Sequence, residues 1–276
     1  MENFIIISDV EKDIHHETAE EIKRHLASYG KYARIVGSSD QIENDQWADM
    51  AIVLGGDGMV IQAAKHFAGE AVPILGVNFG TLGFLTVVEK PRIHQALDSI
   101  LAGRYEVEKR MALTGRLKKQ TSEEESALAV NEFIIAKQDF GHMITTEVYV
   151  DDELLDTYVA DGILVSTPTG STAYNLSAAG PVLAPGMEAM IITPICPHSL
   201  NKRSLVVSSG SRLCIKVGRT KEKYKDEATI RGDGKMLWTV STGDVIWIEK
   251  AEATFDMVHL GDMSFFERMR SKLNRD

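Results

Sequence analysis

Met50-Ala51-Ile52-Val53-Leu54 sets five apolar side chains in a row and then stops at Gly55-Gly56-Asp57-Gly58. A strand without a polar face must be covered on both sides, as strands are in a parallel sheet carrying helices. The flanking chain fits that reading. Residues 4–8, 33–36 and 73–77 have strand length and are largely apolar. Between them lie stretches with helical spacing. Ala19, Ile22, Leu26 and Tyr29 mark one over 18–29, 59–67 is a second, and Ile93, Leu97, Ile100 and Leu101 mark a third. Gly30 and Gly103 stop the first and last of these. Strand and helix in alternation predict an α/β N-terminal domain with a parallel sheet.

Past Gly103 the period changes. Extended character runs from Tyr105 to Leu117, and strand-like runs follow at 128–136, 144–150, 154–159, 163–166, 189–195, 205–207, 213–217, 228–231, 237–240, 245–248 and 254–258. Many short strands between turn residues predict a β-rich, sandwich-like C-terminal domain. Residues 118–126 read as a solvated hairpin tip. The expected domains are 1–103 and 104–260, with a basic amphipathic helix near 264–274 returning to the first. A chain of 276 residues is long enough for two such cores.

A formal charge of −10 argues against broad nucleic-acid binding, which needs a basic surface. No apolar stretch has transmembrane length, and residues 4–7 begin a strand with no basic leader before them, so a cytoplasmic location without membrane attachment is expected. Cys196 and Cys214 have no metal-ligand spacing and read as reduced core thiols. His15-His16 lies in a charged segment without further ligands beside it, so no metal site is expected there.

Several stretches carry chemistry. Three glycines around Asp57 let backbone approach a ligand, and the carboxylate falls at the carboxyl edge of the sheet, where open α/β sheets bind ligands. An Asp capping a helix through a Gly-rich turn is the plain alternative. After the fourth strand, Gly76-Val77-Asn78-Phe79-Gly80-Thr81-Leu82-Gly83-Phe84-Leu85 offers either an aromatic wall for a flat base or a hydrophobic plug. Asn131-Glu132 interrupts an apolar strand, which is costly without partners, so the pair either bonds internally or lines a site. From Asp161 to Ser177 the chain reads as a strand (Ile163, Leu164, Val165), a hydroxyl-rich loop (Ser166 to Thr172) and a helix starting at Ala173, with Ser171 or Thr172 as its cap. Free amides, hydroxyls and Tyr174 suit a ligand with phosphate, sugar and base. Arg203 lies in a polar loop as a phosphate or subunit contact, and Gly232-Asp233-Gly234 is a tight turn bearing a carboxylate.

These segments occur in the order and spacing of the NAD kinases, which the chain resembles over essentially its full length. Gly-Gly-Asp-Gly alone is weakly specific, because diacylglycerol, sphingosine and phosphofructo-kinases carry similar elements; the Asp161 to Ser177 run is highly specific. The resemblance implies Mg²⁺-dependent phosphoryl transfer from ATP or polyphosphate to the 2′-hydroxyl of the adenosine ribose of NAD. It also implies a site in the cleft between domains and a homo-oligomer, dimer or tetramer. It makes Asp57 the general base and assigns Gly55, Gly56 and Gly58 to the phosphate donor, with Gly58 also beside NAD. By the same resemblance, Asn131 and Glu132 are expected on the ribose and pyrophosphate side, and Asp161, Thr169, Thr172 and Ala173 around the bases. Phe84 and Tyr174 are expected against adenine, with Asp233 and Lys235 reaching in from another strand or subunit. His142, Asn175 and Ser177 complete the substrate set that the resemblance implies. Ala179 stands where the family commonly has Gly, and Met59 where it usually has Thr; loss of that Thr hydroxyl leaves the choice of donor open. A lipid kinase sharing Gly-Gly-Asp-Gly has no use for the 161–177 run, and a silent dinucleotide sensor has no use for Asp57.

Overall fold

The computed structural model describes residues 1–9, 11–42, 47–80, 83–119, 124–139, 142–220, 226–261 and 263–273. Thr81 and Leu82 of the second glycine joint, and 120–123 of the polar tip, lie outside the described residues. The chain divides into two units, Met1–Arg110 with Thr254–Asp276, and Met111–Ala253. The division thus falls seven residues beyond Gly103, because the strand that follows that glycine starts in the first unit.

In the first unit the order is β1 (Asn3–Ser8), α1 (Glu17–Ser28), β2 (Tyr32–Val36), β3 (Met50–Gly55), α2 (Asp57–His66), β4 (Ile74–Asn78), β5 (Val88–Glu89) and α3 (Ile93–Leu101). Strands β2, β1, β3 and β4 lie side by side in that order, all parallel. Every residue of β3 and β4 is buried, as an all-apolar strand demands. Ala19, Ile22 and Leu26 of α1 and Ile93, Ala96, Leu97 and Ile100 of α3 bury the stripes that their spacing predicts. They join Phe4, Ile6, Ile52 and Leu54 in one core, where each fully buried Leu or Ile contributes roughly 2 kcal/mol. Gly55 pairs with Asn78, so the loops leaving β3 and β4 emerge together at the carboxyl edge. That register is what brings residues 56–57 beside 83–86.

The remaining elements are β6 (Glu106–Lys118), β7 (Glu125–Ala129), β8 (Glu132–Lys137), β9 (Ile144–Val150), β10 (Glu153–Ala160), β11 (Gly162–Ser166), α4 (Tyr174–Ser177), β12 (Ala189–Ile195), β13 (Leu205–Ser208), β14 (Leu213–Val217), β15 (Glu227–Gly232), β16 (Lys235–Ser241), β17 (Val245–His259) and α5 (Phe265–Leu273). In the second unit, β13-β12-β11-β8-β15-β16 form a six-stranded antiparallel sheet. A second antiparallel set runs β10-β9-β14-β17. Phe133, Ile135, Ile163 and Val165 from one and Val148, Leu213, Ile215 and Ile248 from the other share a core, the packing of a sandwich.

Four expectations need correction. The run 128–136 is two strands, broken at Val130 and Asn131. The runs 245–248 and 254–258 are one strand, since ladder pairing overrides the weak β-propensity of Glu249-Lys250-Ala251-Glu252. The helix after the hydroxyl loop is a four-residue turn preceded by a 3₁₀ turn at Gly170–Thr172, and no side chain caps it. Cys196 is exposed and Cys214 half-buried, so neither thiol sits fully in a core.

Candidate functional site

The first group of site residues lies in the first unit. Asp57 opens α2 with Gly56 as its N-cap, yet its carboxylate caps nothing in that helix. It turns to the neighbouring loop instead. Phe84 N donates to Oδ2 at 2.7 Å, and Leu85 N and Thr86 N donate to Oδ1 at 3.1 and 3.2 Å. Gly83 N donates to Thr86 Oγ1 at 3.0 Å, which closes the turn. A Cβ on Gly83 would lie 1.8 Å from Asp57 Oδ1, so any side chain here forces the carboxylate to shift. The sequence reading left Asp57 free to face a ligand; in the structure both of its oxygens serve the main chain. Met59 packs over Gly55, where an added Cβ would stand 2.5 Å from its sulfur.

Charges that the sequence reading missed surround this loop. Arg268 of α5 is 4% exposed and donates from Nη1 to the Phe84 carbonyl at 2.7 Å, while its Nε is buried without a partner. Arg110, equally buried, bonds to Glu108 through Nε at 2.8 Å and Nη2 at 2.7 Å. His259 adds a contact to Glu108 at 2.9 Å. Burial opposes the charge on Glu108, but the His259 hydrogen bond and the Arg110 guanidinium outweigh it and hold the carboxyl at about 2. Burial pulls both arginines below their ordinary range, and the Asp57 charge pulls back on each. Lys272 Nζ lies 4.5 Å from the centre of the half-buried Phe84 ring. The signals were there: Arg110 directly precedes the apolar run Met111-Ala112-Leu113, and Arg268 falls on an amphipathic helix.

The second group lies in the second unit and repeats the same device. Asp233, at a positive φ of 49°, accepts from Val130 N at 2.9 Å, Asn131 N at 2.7 Å and Glu132 N at 3.3 Å. Thr167 Oγ1 donates to the Val130 carbonyl at 2.7 Å, and Thr167 N to the Asn131 carbonyl at 2.8 Å. Backbone groups satisfied in this way leave the sheet ladder, which is why the strand breaks there. Asp233 therefore serves its own chain here. Glu132 is 4% exposed, and its Oε2 has no partner. Burial, then the Asp233 charge, push its carboxyl up to about 8.

The hydroxyl loop is largely committed to itself. Ser166 Oγ donates to the Asn131 carbonyl, Ser171 Oγ to Pro168 O at 2.6 Å, and Thr172 Oγ1 to Thr169 O at 3.2 Å. A Cβ on Gly170 would meet the Asn131 carbonyl at 2.2 Å, which packs the loop directly against the Asn-Glu turn. Asn175, expected against substrate, is fully buried and ties Ser171 O, Pro181 O and Thr193 Oγ1 together. Thr169 is buried, while Thr172 and Ala173 are half-buried. Tyr174 is 43% exposed, and Ser177, His142 and Lys235 are exposed as well. Asp161 pairs with Lys137 at 2.6 Å. Arg203 folds onto the carbonyls of Leu200 and Lys202. Among the described residues no three His, Cys, Asp or Glu side chains gather to hold a metal ion, and no helix is long and apolar enough to cross a membrane.

Comparison with known proteins sets this pair, a parallel α/β unit with a Gly-Asp joint at its carboxyl edge and an antiparallel sandwich unit, among the two-domain phosphotransferases. Residues 5–105 match the family model of the ATP-NAD kinase N-terminal domain, and residues 130–260 that of the C-terminal domain. The chain is 36% identical over 281 residues to an NAD kinase of Lachnoclostridium phytofermentans, covering 99% of both chains. It is 37% identical to an NAD kinase of Moorella thermoacetica, covering 99% of this chain and 89% of that one. Among solved structures, yeast NADH kinase complexed with NADH matches with a TM-score of 0.88 at 24% identity, over 100% of this chain and 88% of that one. An NAD kinase from Archaeoglobus fulgidus in complex with ATP matches with a TM-score of 0.74 at 24% identity, over 99% and 97%. The chain belongs to the NAD kinase family.

Proposed function

We propose that this chain moves a phosphoryl group from ATP to the 2′-hydroxyl of the adenosine ribose of NAD, giving NADP. The observation that carries the reading is end-to-end likeness to named NAD kinases in a chain that builds both the Gly-Gly-Asp-Gly joint and the Asn131-Glu132 turn. The donor enters as its complex with a divalent cation. Mg²⁺ commonly rides on substrate phosphates with few protein ligands. Bound there, the ion neutralises charge on the transferring group.

Asp57 is the proposed base. A carboxylate offers about four acceptor sites, and the amides of residues 84–86 take three of them. The remaining lone pair is where a ribose hydroxyl would deliver its proton. In the second unit, Asn131 and Glu132 are the proposed ribose contacts, Asp161, Thr172 and Ala173 the polar contacts to the bases, and Tyr174 the stacking partner. Gly55, Gly56 and Gly58 are proposed to border the donor. Cytoplasmic location and a dimeric or tetrameric state complete the reading.

The test is NADP formation from NAD with Mg²⁺ and either ATP or polyphosphate. Absence of NADP with both donors overturns the assignment. Asp57→Asn is expected to lower turnover by roughly 10² to 10⁴-fold while NAD binding is kept. Full turnover in that variant removes Asp57 from the chemistry and leaves it as an anchor of the 84–86 loop.

A further inference from the structure

Helices α1 and α3 face each other with a reciprocal set of side chains that the kinase reaction does not use. Each helix carries a histidine and a carboxylate four residues apart, Glu21 with His25 and His94 with Asp98, a spacing that puts both on one face. Each histidine bonds to the carboxylate of the other helix. His25 Nε2 lies 2.9 Å from Asp98 Oδ1, and His94 Nε2 lies 2.6 Å from Glu21 Oε1. Tyr29 Oη also donates to Asp98, at 3.3 Å. The two remaining ring nitrogens, both Nδ1, then stand 3.2 Å apart. The ring centres are 4.8 Å apart with planes inclined by 60°, so the imidazoles meet at an angle and not end to end.

A carboxylate only accepts, so each Nε2 bonded to one carries the hydrogen. Where both rings hold only that hydrogen, two bare Nδ1 lone pairs face each other at contact distance, and either a shared proton or a metal cation between them removes the repulsion. Two nitrogens bound to one tetrahedral zinc at the usual bond length stand about 3.3 Å apart, close to the separation seen here. A carboxylate on the far nitrogen is also the usual support of a metal-bound histidine, fixing its tautomer and strengthening it as a ligand. Two carboxylates balance a divalent ion. The side chains of His94, Glu21 and Asp98 are 44%, 48% and 48% exposed, which leaves room for water at the other coordination positions.

We propose that His25 and His94 bind one imidazole-preferring divalent transition ion through Nδ1, with Asp98 and Glu21 orienting the rings. Such an ion would clamp α1 to α3 and stiffen the first unit from outside its apolar core. The test uses the full chain, stripped with chelator and titrated calorimetrically with zinc, beside His25→Gln, His94→Gln and the double variant. Wild type is expected to take up one zinc ion that the double variant does not, with at least ~10-fold weaker binding in each single variant and in Asp98→Asn. Zinc is also expected to raise the Tm of wild type and not of the double variant. Cobalt in place of zinc should give visible absorption bands in wild type that both single variants lose. The comparison with the double variant removes any uptake by His15-His16. Equal uptake by wild type and the double variant overturns the proposal and leaves a shared proton as what joins the rings.

Discussion

Replacing Glu132 with Gln should flatten the dependence of stability on pH. Burial, and then the Asp233 charge, lift its carboxyl from an ordinary 4.5 to about 8. A folded value above the unfolded one means that the favourable contribution is complete below 4.5 and is lost as pH rises through about 8. In that window the unfolded chain releases the proton while the folded chain keeps it. From about pH 5 to about pH 7.5, at 1.36 kcal/mol per unit, wild type loses about 3 kcal/mol through this one group. Gln has the shape and the donor and acceptor of the protonated acid but no proton to lose. Urea unfolding of both proteins at the two pH values is the assay. The advantage of Glu132→Gln over wild type is expected to grow by about 3 kcal/mol between them. A difference that stays flat with pH would mean that Glu132 is already ionised in the folded chain, and the reasoning from its burial fails.

Three further outcomes follow from the same geometry. Gly83→Ala puts a methyl 1.8 Å from Asp57 Oδ1, so the carboxylate must shift; a fall in kcat of about 10²-fold with an unchanged circular-dichroism spectrum is expected. Asp233→Ala removes the acceptor of the amides of 130–132, with an expected loss of about 3 kcal/mol in denaturant titration. Tyr174→Ala should raise the KM for NAD more than it lowers kcat, and an unchanged KM would leave that half-open ring without a role in binding.

Local order was legible in the one-dimensional pattern because it depends on neighbours in sequence. Apolar runs marked β1, β3 and β4, helical spacing marked α1 and α3, and the bounds of β9, β12, β14 and α5 coincide with the apolar and turn residues themselves. The stretches that carry chemistry could be found the same way, since glycine clusters and polar pairs inside apolar runs are visible without a fold. What those side chains bond to was another matter. Asp57 and Asp233 read as open carboxylates, and only folding brings the amides of 84–86 and 130–132 to them. Asn175 is expected among the substrate contacts and becomes an internal staple.

The sequence alone therefore determined the alternation of elements, the switch from α/β to β-rich texture and the candidate positions, because each rests on periodicity or residue type. Tertiary structure decided which polar groups are spent on the chain and which stay open, and it assembled Glu108, Arg110, His259 and Arg268 around the Asp57 loop from three distant segments. The reason is physical: a hydrogen bond or a buried charge is settled by whatever lies within a few ångströms, and for these groups the partners lie up to 184 residues away along the chain.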